Sequence, residues 1–216
     1  MPPASLGRRR ALVGVALMLA SPAVAAPVAI PLSANDAALV ERARAYLSDL
    51  HGAKGRFVQT DPRGTISAGT FWLERPGRAR FEYDPPSGLV IASDGRRVRL
   101  VDRRLKTIQA YPLSVTPLAL FLARDIRLDR GVVVTQVTRR AGGFSILARD
   151  GRKQAQGRIT LDFTDPPLAL AGWALTDPQG GVTRVRLLDF APAGPFLATL
   201  FVLTDPKAMS AAPDRR

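Results

Sequence analysis

The chain contains no cysteine and a single histidine. The first absence excludes disulfides, thiol nucleophiles and thiolate metal sites, and it also excludes lipid attachment at a lipoprotein-type cysteine. The second leaves His51 as the sole imidazole for acid–base work or metal binding. That residue falls where the first helix should end, and a cation there favourably faces the helix dipole. A Ser-His-Asp hydrolase would have to use it, yet no Gly-x-Ser-x-Gly elbow presents a nucleophile. Carboxylates fall mainly in turns, where Asp is expected on conformational grounds. Glu74, Glu82 and Asp84 are close in the chain, but nothing in the sequence sets the separation that a glycosidase pair needs. Asp94-Gly95 and Asp150-Gly151 read as hairpin turns, not as metal or phosphate loops. The inventory points away from an enzyme, a secreted hydrolase being the remaining enzymatic alternative, and no metal or cofactor is expected.

A membrane-spanning apolar run is also missing from the first residues. Ala11 to Ala20 is apolar but too short to cross a hydrocarbon core of ~30 Å, which takes about 20 helical residues. Arg8, Arg9 and Arg10 precede it and the small residues Ser21 to Ala26 follow, the pattern of a removable export leader. Cleavage after Ala25 fits the small-x-small rule, so residues 1–25 are expected to be the leader. The general secretory route suits it best, and the adjacent Arg9-Arg10 also allows the twin-arginine route. Residues 26–208 should form one domain, with 209–216 a disordered tail. The formal charge of +13 suggests nucleic acid, anionic membrane surfaces or acidic partners. Export argues against nucleic acid, and the arginines are spread along the chain, not interleaved with aromatics as a base-stacking surface requires. Arg78, Arg80 and the Arg96 to Arg99 strand have two readings, a docking face for acidic partner surfaces or solvated strand faces.

Asp36 to Leu50 carries the one long helical pattern: Leu39, Ala43, Tyr46, Leu47 and Leu50 recur at helical spacing, Ser33 or Asn35 can cap the start, and Gly52 is expected to end it. The period then becomes two. Arg78-Ala79-Arg80-Phe81-Glu82-Tyr83 alternates charge with apolar side chains, which gives one wet and one dry face. The same alternation sets Val98 and Leu100 against Arg97 and Arg99, and Ile159, Leu161 and Phe163 against Arg158, Thr160 and Asp162. Val185 and Leu187 likewise oppose Arg184 and Arg186. Turn signals such as Asp61-Pro62-Arg63-Gly64 and Arg75-Pro76-Gly77 recur about every ten residues, the rhythm of an antiparallel meander. Thr116-Pro117 can open a second, short helix to Ala123 that is apolar on every side and needs cover on more than one face. The fold expected is mainly β within the α+β class: an open antiparallel half-barrel of about eleven strands, with short helices covering its mouth as a lid.

In that order of elements the chain resembles the LolA family of periplasmic outer-membrane lipoprotein carriers. The residues that carry the resemblance are Arg56-Phe57-Val58-Gln59, Gly69-Thr70-Phe71-Trp72-Leu73-Glu74-Arg75-Pro76-Gly77, Arg80-Phe81-Glu82-Tyr83, Pro85-Pro86, Ser93-Asp94-Gly95 and Thr116-Pro117-Leu118. They span roughly the N-terminal half of the exported chain; the second half matches only as strands. The resemblance implies a monomeric periplasmic carrier that takes acylated lipoproteins from an inner-membrane ABC-type release complex and hands them to an outer-membrane acceptor. It also implies that Arg75 gates the lid by hydrogen-bonding helix carbonyls near Leu47, and near Phe121, Leu122 and Ala123. A guanidinium has five donors in a planar fork and suits that task. Candidate lipid-cavity residues are Phe71, Leu73, Ala79, Phe81, Tyr83, Ile91, Val98, Leu100, Leu118 and Phe121. A related open barrel that binds free lipid or an envelope protein partner is the alternative.

Overall fold

The computed structural model describes residues 32–116, 118–122, 132–151 and 157–205. The expected leader, the tail from 206, Pro117 and Ala123 lie outside the described residues. Helix α1 runs Ala34–Asp49. Ser33 caps it, its Oγ accepting the Asp36 N–H at 3.1 Å while its hydroxyl donates back to the Asp36 carboxylate at 2.7 Å. This satisfies an otherwise orphaned N–H of the first turn. The helix ends on Leu50, in extended conformation with its N–H on the Tyr46 carbonyl at 3.1 Å. Gly52, expected to stop the helix, instead opens the first strand. Its hydrogen answers to a different need, since a Cβ there would lie 2.3 Å from the Ala193 carbonyl oxygen.

Among the described residues eleven strands follow: β1 (Gly52–Thr60), β2 (Ile66–Glu74), β3 (Arg78–Tyr83), β4 (Leu89–Asp94), β5 (Arg97–Asp102), β6 (Thr107–Pro112), β7 (Val132–Arg140), β8 (Gly143–Asp150), β9 (Arg158–Thr164), β10 (Ala169–Thr176) and β11 (Val182–Pro192). They form one antiparallel sheet in the order β6-β5-β4-β3-β2-β1-β11-β10-β9-β8-β7. Every neighbour in it is a hairpin partner except β1 and β11, which zip the two halves together with Phe57 opposite Leu187 and Gln59 opposite Val185. β6 and β7 form the two edges and do not pair, so the barrel stays open as expected. The chain passes from one edge to the other through a 3-10 turn at Leu113–Val115 and helix α2 (Leu118–Leu122). Thr116, expected to cap α2, spends its hydroxyl on the Leu113 carbonyl at 2.8 Å, while its own carbonyl accepts the Ala119 N–H.

Period-two alternation sorts the side chains onto two faces. The concave face carries Phe57, Phe71, Phe81, Tyr83, Phe144, Ile146, Ile159, Leu161, Phe163 and Trp173, all buried. The convex face carries most of the arginines. One stretch of it is covered, because after β11 the chain crosses back over β3 and β4 and ends in a 3-10 turn at Ala198–Phe201. Phe201 is 1% exposed there. The Leu200 carbonyl accepts from Arg80 at 3.0 Å, the Phe196 N–H donates to Glu74 at 2.9 Å, and Arg78 lies over the Phe201 ring at 5.5 Å. Buried Val90, Ala92 and Val101 stand outside the main core and mark a second, smaller one on this face.

This strap begins at Gly52, where the Ala193 N–H bonds the Gly52 carbonyl at 3.1 Å. Gly52→Ala should therefore cost about 1–3 kcal/mol, the range for overpacking against a backbone that must shift. Urea denaturation reads it; an unchanged midpoint would show that the strap yields freely.

Candidate functional site

The concave face is a connected field of rings. Phe57 meets Phe81 and Tyr83 edge-on at 5.5 and 5.0 Å, Phe71 stacks on Phe81 and Phe190 at 6.3 and 5.9 Å, and Phe81 meets Trp173 at 5.8 Å. On the far side Phe144 stacks on Phe163 at 5.2 Å, which meets Tyr46 of α1. The Tyr83 hydroxyl donates to Gln59 Oε1 at 2.7 Å, a polar point within the apolar field. Burial pushes its pKa up to about 12, against the smaller opposite pull of that hydrogen bond.

Of the residues expected here from sequence, Phe71, Leu73, Ala79, Phe81, Tyr83 and Val98 are buried in this one cluster, and Ile91, Leu100 and Leu118 pack against it half-buried. The side chain of Phe121 lies outside the description. The register explains the grouping: Phe71 faces Phe81, Phe81 faces Ile91 and Ile91 faces Leu100 in successive strands. The residues not foreseen are Phe57, Phe144, Phe163, Trp173 and Phe190, most of them from the second half. Alternation in β9 and β11 signalled such a face, but strands β1, β8 and β10 gave no comparable clue.

What covers this face is α1. Val40, Ala43 and Leu47 are buried against it, Leu47 to 1% exposure. Leu50 at the helix exit is buried in the same cluster and Leu39 and Tyr46 pack against it, and each large apolar side chain fully buried there stabilises by roughly 1.5–3 kcal/mol. In its first turn and at its middle α1 is tied by exposed ion pairs, Asp36 meeting Arg139 at 2.7 Å and Arg42 clasping both Asp165 oxygens at 2.8 and 2.9 Å. Such pairs add little in water, so the helix is held chiefly by its buried side chains, by roughly 5–10 kcal/mol in all.

Arg75 lies at the C-terminal end of α1. It is only 8% exposed, with Nε and Nη1 fully enclosed. It lines a cleft of about 730 Å³ together with Tyr46, Asp49, Leu50, His51 and Phe190. Its N–H bonds the His51 carbonyl at 2.8 Å, which fastens the strand end to the helix exit. Two residues on, the Gly77 N–H bonds the Leu122 carbonyl of α2 at 2.8 Å, and Ser93 Oγ donates to the Gly77 carbonyl at 2.6 Å. Gly77 has φ +80°, and a Cβ there would come within 2.7 Å of Gly95 Cα, so no other residue fits the junction. The Arg-Pro-Gly turn thus bonds the link that follows α1 and, through Gly77, the Leu122 carbonyl of α2. Leu47 is buried in the core cluster, and Ala123 lies outside the described residues.

The carboxylates considered for acid–base work are otherwise engaged. Glu74 pairs with Arg78, Glu82 with Arg80 and Arg103, and Asp84 with Arg56. His51 is exposed on the link from α1 to β1. Among the described residues no three His, Cys, Asp or Glu converge as metal ligands, and no helix is long and apolar enough to cross a membrane.

Comparison with known proteins agrees with this architecture. The family model described as outer membrane lipoprotein carrier protein LolA matches residues 48–204. Outer-membrane lipoprotein carrier proteins are similar to the chain in several bacteria. The relative from Cupriavidus taiwanensis is 27% identical over 214 residues, covering 93% of this chain and 96% of its own. That from Bordetella pertussis is 28% identical over 196 residues, covering 87% and 91%. That from Alkalilimnicola ehrlichii is 36% identical over 90 residues, covering 39% and 42%.

The tie between α1 and the sheet has a pH signature. The hydrogen bond and charge of Arg42 hold the Asp165 carboxyl below its ordinary 3.8. A carboxyl whose folded pKa is depressed stabilises above its unfolded value, and that contribution is lost as pH falls through the folded one. Amide hydrogen exchange in α1 should therefore speed up below about pH 4, relative to the β1–β2 strands, and this acid response should shrink in Arg42→Ala. Equal pH responses in wild type and variant would remove the pair from any role in holding the helix.

Proposed function

The chain belongs to the LolA family of outer membrane lipoprotein carrier proteins, and on that premise we propose that its concave face takes up the acyl chains of lipoproteins once α1 and α2 swing aside. The observation that carries this reading is the imbalance between the face and its cover. A ring-lined surface spanning both halves of the sheet is closed by one 16-residue helix and a single-turn companion. Displacing Val40, Leu47, Leu50 and Leu122 costs roughly 6–12 kcal/mol at 1.5–3 kcal/mol each, and an acyl chain of roughly 16 carbons returns on the order of 10 kcal/mol at ~0.8 kcal/mol per buried methylene. The cargo therefore offsets most of the energy of opening its own site. Aromatic edges that pack on one another in the closed form are available to methylenes in the open one.

Arg75 sets the balance between the two forms. A guanidinium withdrawn from water must be matched by acceptors, and this one sits where strand β2, the exit of α1 and the turn to α2 meet. Charged hydrogen bonds of about 1.5–3 kcal/mol each bias such a lid without locking it. The exported chain acts in the periplasm as one domain over 26–208, after removal of the leader 1–25. It receives cargo from an inner-membrane ABC-type complex and delivers it to the outer membrane, and it needs no cofactor of its own.

The test is mass spectrometry of the protein purified gently from the cell envelope. Arg75→Leu should retain more acylated polypeptide than wild type, because the open form gains and release becomes unfavourable. Free lipid without acylated polypeptide in both proteins would replace the cargo assignment by lipid binding.

A further inference from the structure

Outside the strap, the convex face presents a different chemistry. β10 turns only Gly172, Ala174 and Thr176 outward, which leaves a trough of about 780 Å³ beside Arg184 and Arg186 of β11. Ile66 flanks it and is 71% exposed. The register sets Ile66 across from Thr60, and Thr60 across from Arg184, so an exposed apolar side chain and a cation share one row. Arg158 stands at the end of this field opposite Arg149, two like charges face to face across β8 and β9. Like charges in that position destabilise a sheet unless an anion lies between them.

Five arginines of the other half sit in ion pairs, whereas Arg96, Arg97 and Arg104 at its strand ends and turns are exposed and carry none among the described residues. Arg56 pairs with Asp84, Arg78 with Glu74, Arg80 and Arg103 with Glu82, and Arg99 with Asp94. Among the described residues Arg149, Arg158, Arg184 and Arg186 make no such pair. The carboxylate nearest them in register, Asp162, is already taken by Arg140 at 3.2 Å and Ser145 at 2.6 Å.

We propose that this face docks on anionic phospholipid bilayers, with Arg158, Arg184 and Arg186 meeting lipid phosphates and Ile66 entering the headgroup layer. Charge complementarity names the occupant, and an apolar side chain standing among cations is the composition of surfaces that rest at a bilayer interface. The contact lies on the opposite face of the sheet from the acyl site, so it leaves α1 free to open. Being exposed, it is screened by salt and reversible. It concentrates the carrier at a membrane without inserting it.

Vesicle flotation of the full exported chain tests this independently of cargo, since neither loading nor release enters the measurement. The protein should float with phosphatidylglycerol-rich vesicles at low ionic strength, stay behind with phosphatidylcholine vesicles, and detach at about 0.5 M salt. Arg158→Gln/Arg184→Gln/Arg186→Gln should weaken binding roughly 100-fold. Arg96→Gln/Arg97→Gln/Arg104→Gln removes the same charge from exposed positions elsewhere and should weaken it far less. Equal losses in the two triple variants would reduce the effect to net charge and overturn the proposal. So would a wild-type protein that ignores anionic vesicles but binds polyglutamate through the same three arginines, which would give the surface to an acidic protein.

Discussion

An antiparallel sheet that curls without closing has to bury its concave face under something other than itself. Here that burden falls on α1 and the short α2, because β6 and β7 end the sheet without meeting. The sheet is fastened along its whole length by ladder hydrogen bonds, whereas α1 is held by the packing of one apolar face, Leu39, Val40, Ala43, Tyr46, Leu47 and the following Leu50, and by two surface ion pairs. Stability is therefore uneven by construction: a rigid curved wall and a loosely seated cover. The proposed uptake of acyl chains rests on that division, since the energy of opening has to be matched by the energy that the guest supplies.

The junction at Arg75-Pro76-Gly77 is where the two parts communicate. The strand end is tied to the exit of α1 through the His51 carbonyl, and the turn is tied to α2 through the Leu122 carbonyl. Ser93 pins the same turn from the β4 side. Three consecutive residues thus bond both the link after α1 and α2. The C-terminal strap works on the opposite face. It covers Val90, Ala92 and Val101 and shares Glu74 with Arg78, so the strand that leads into the junction is braced from both sides.

Much of this was legible in the sequence, for physical reasons that differ by element. Alternation in β3, β5, β9 and β11 is strict because one face is dry and the other wet, and it assigned the inward set Ala79, Phe81 and Tyr83 correctly to one face. The helix and its Ser33 cap follow from local hydrogen bonding. The stop at Gly52 was misread, because its constraint comes from Ala193, some 140 residues away in the chain, and close backbone approach leaves no local pattern. The strap was missed for a similar reason. Its sequence, Pro192 to Asp205, has no period, and its place on β3 and β4 depends on Arg80 and Glu74 far upstream. Arg75 is intermediate: residue type and turn were visible, but its burial among elements from three parts of the chain was supplied only by the resemblance.

The central claim is that cargo lies against the concave face and not elsewhere on the sheet. The most direct measurement places a photo-reactive residue at Ile91, on the concave side, and in a separate protein at Ala68, on the convex side, and irradiates cells. Adducts with acylated polypeptide from position 91 and none from position 68 are the predicted result. Adducts from position 68 alone, or equally from both, would contradict the account.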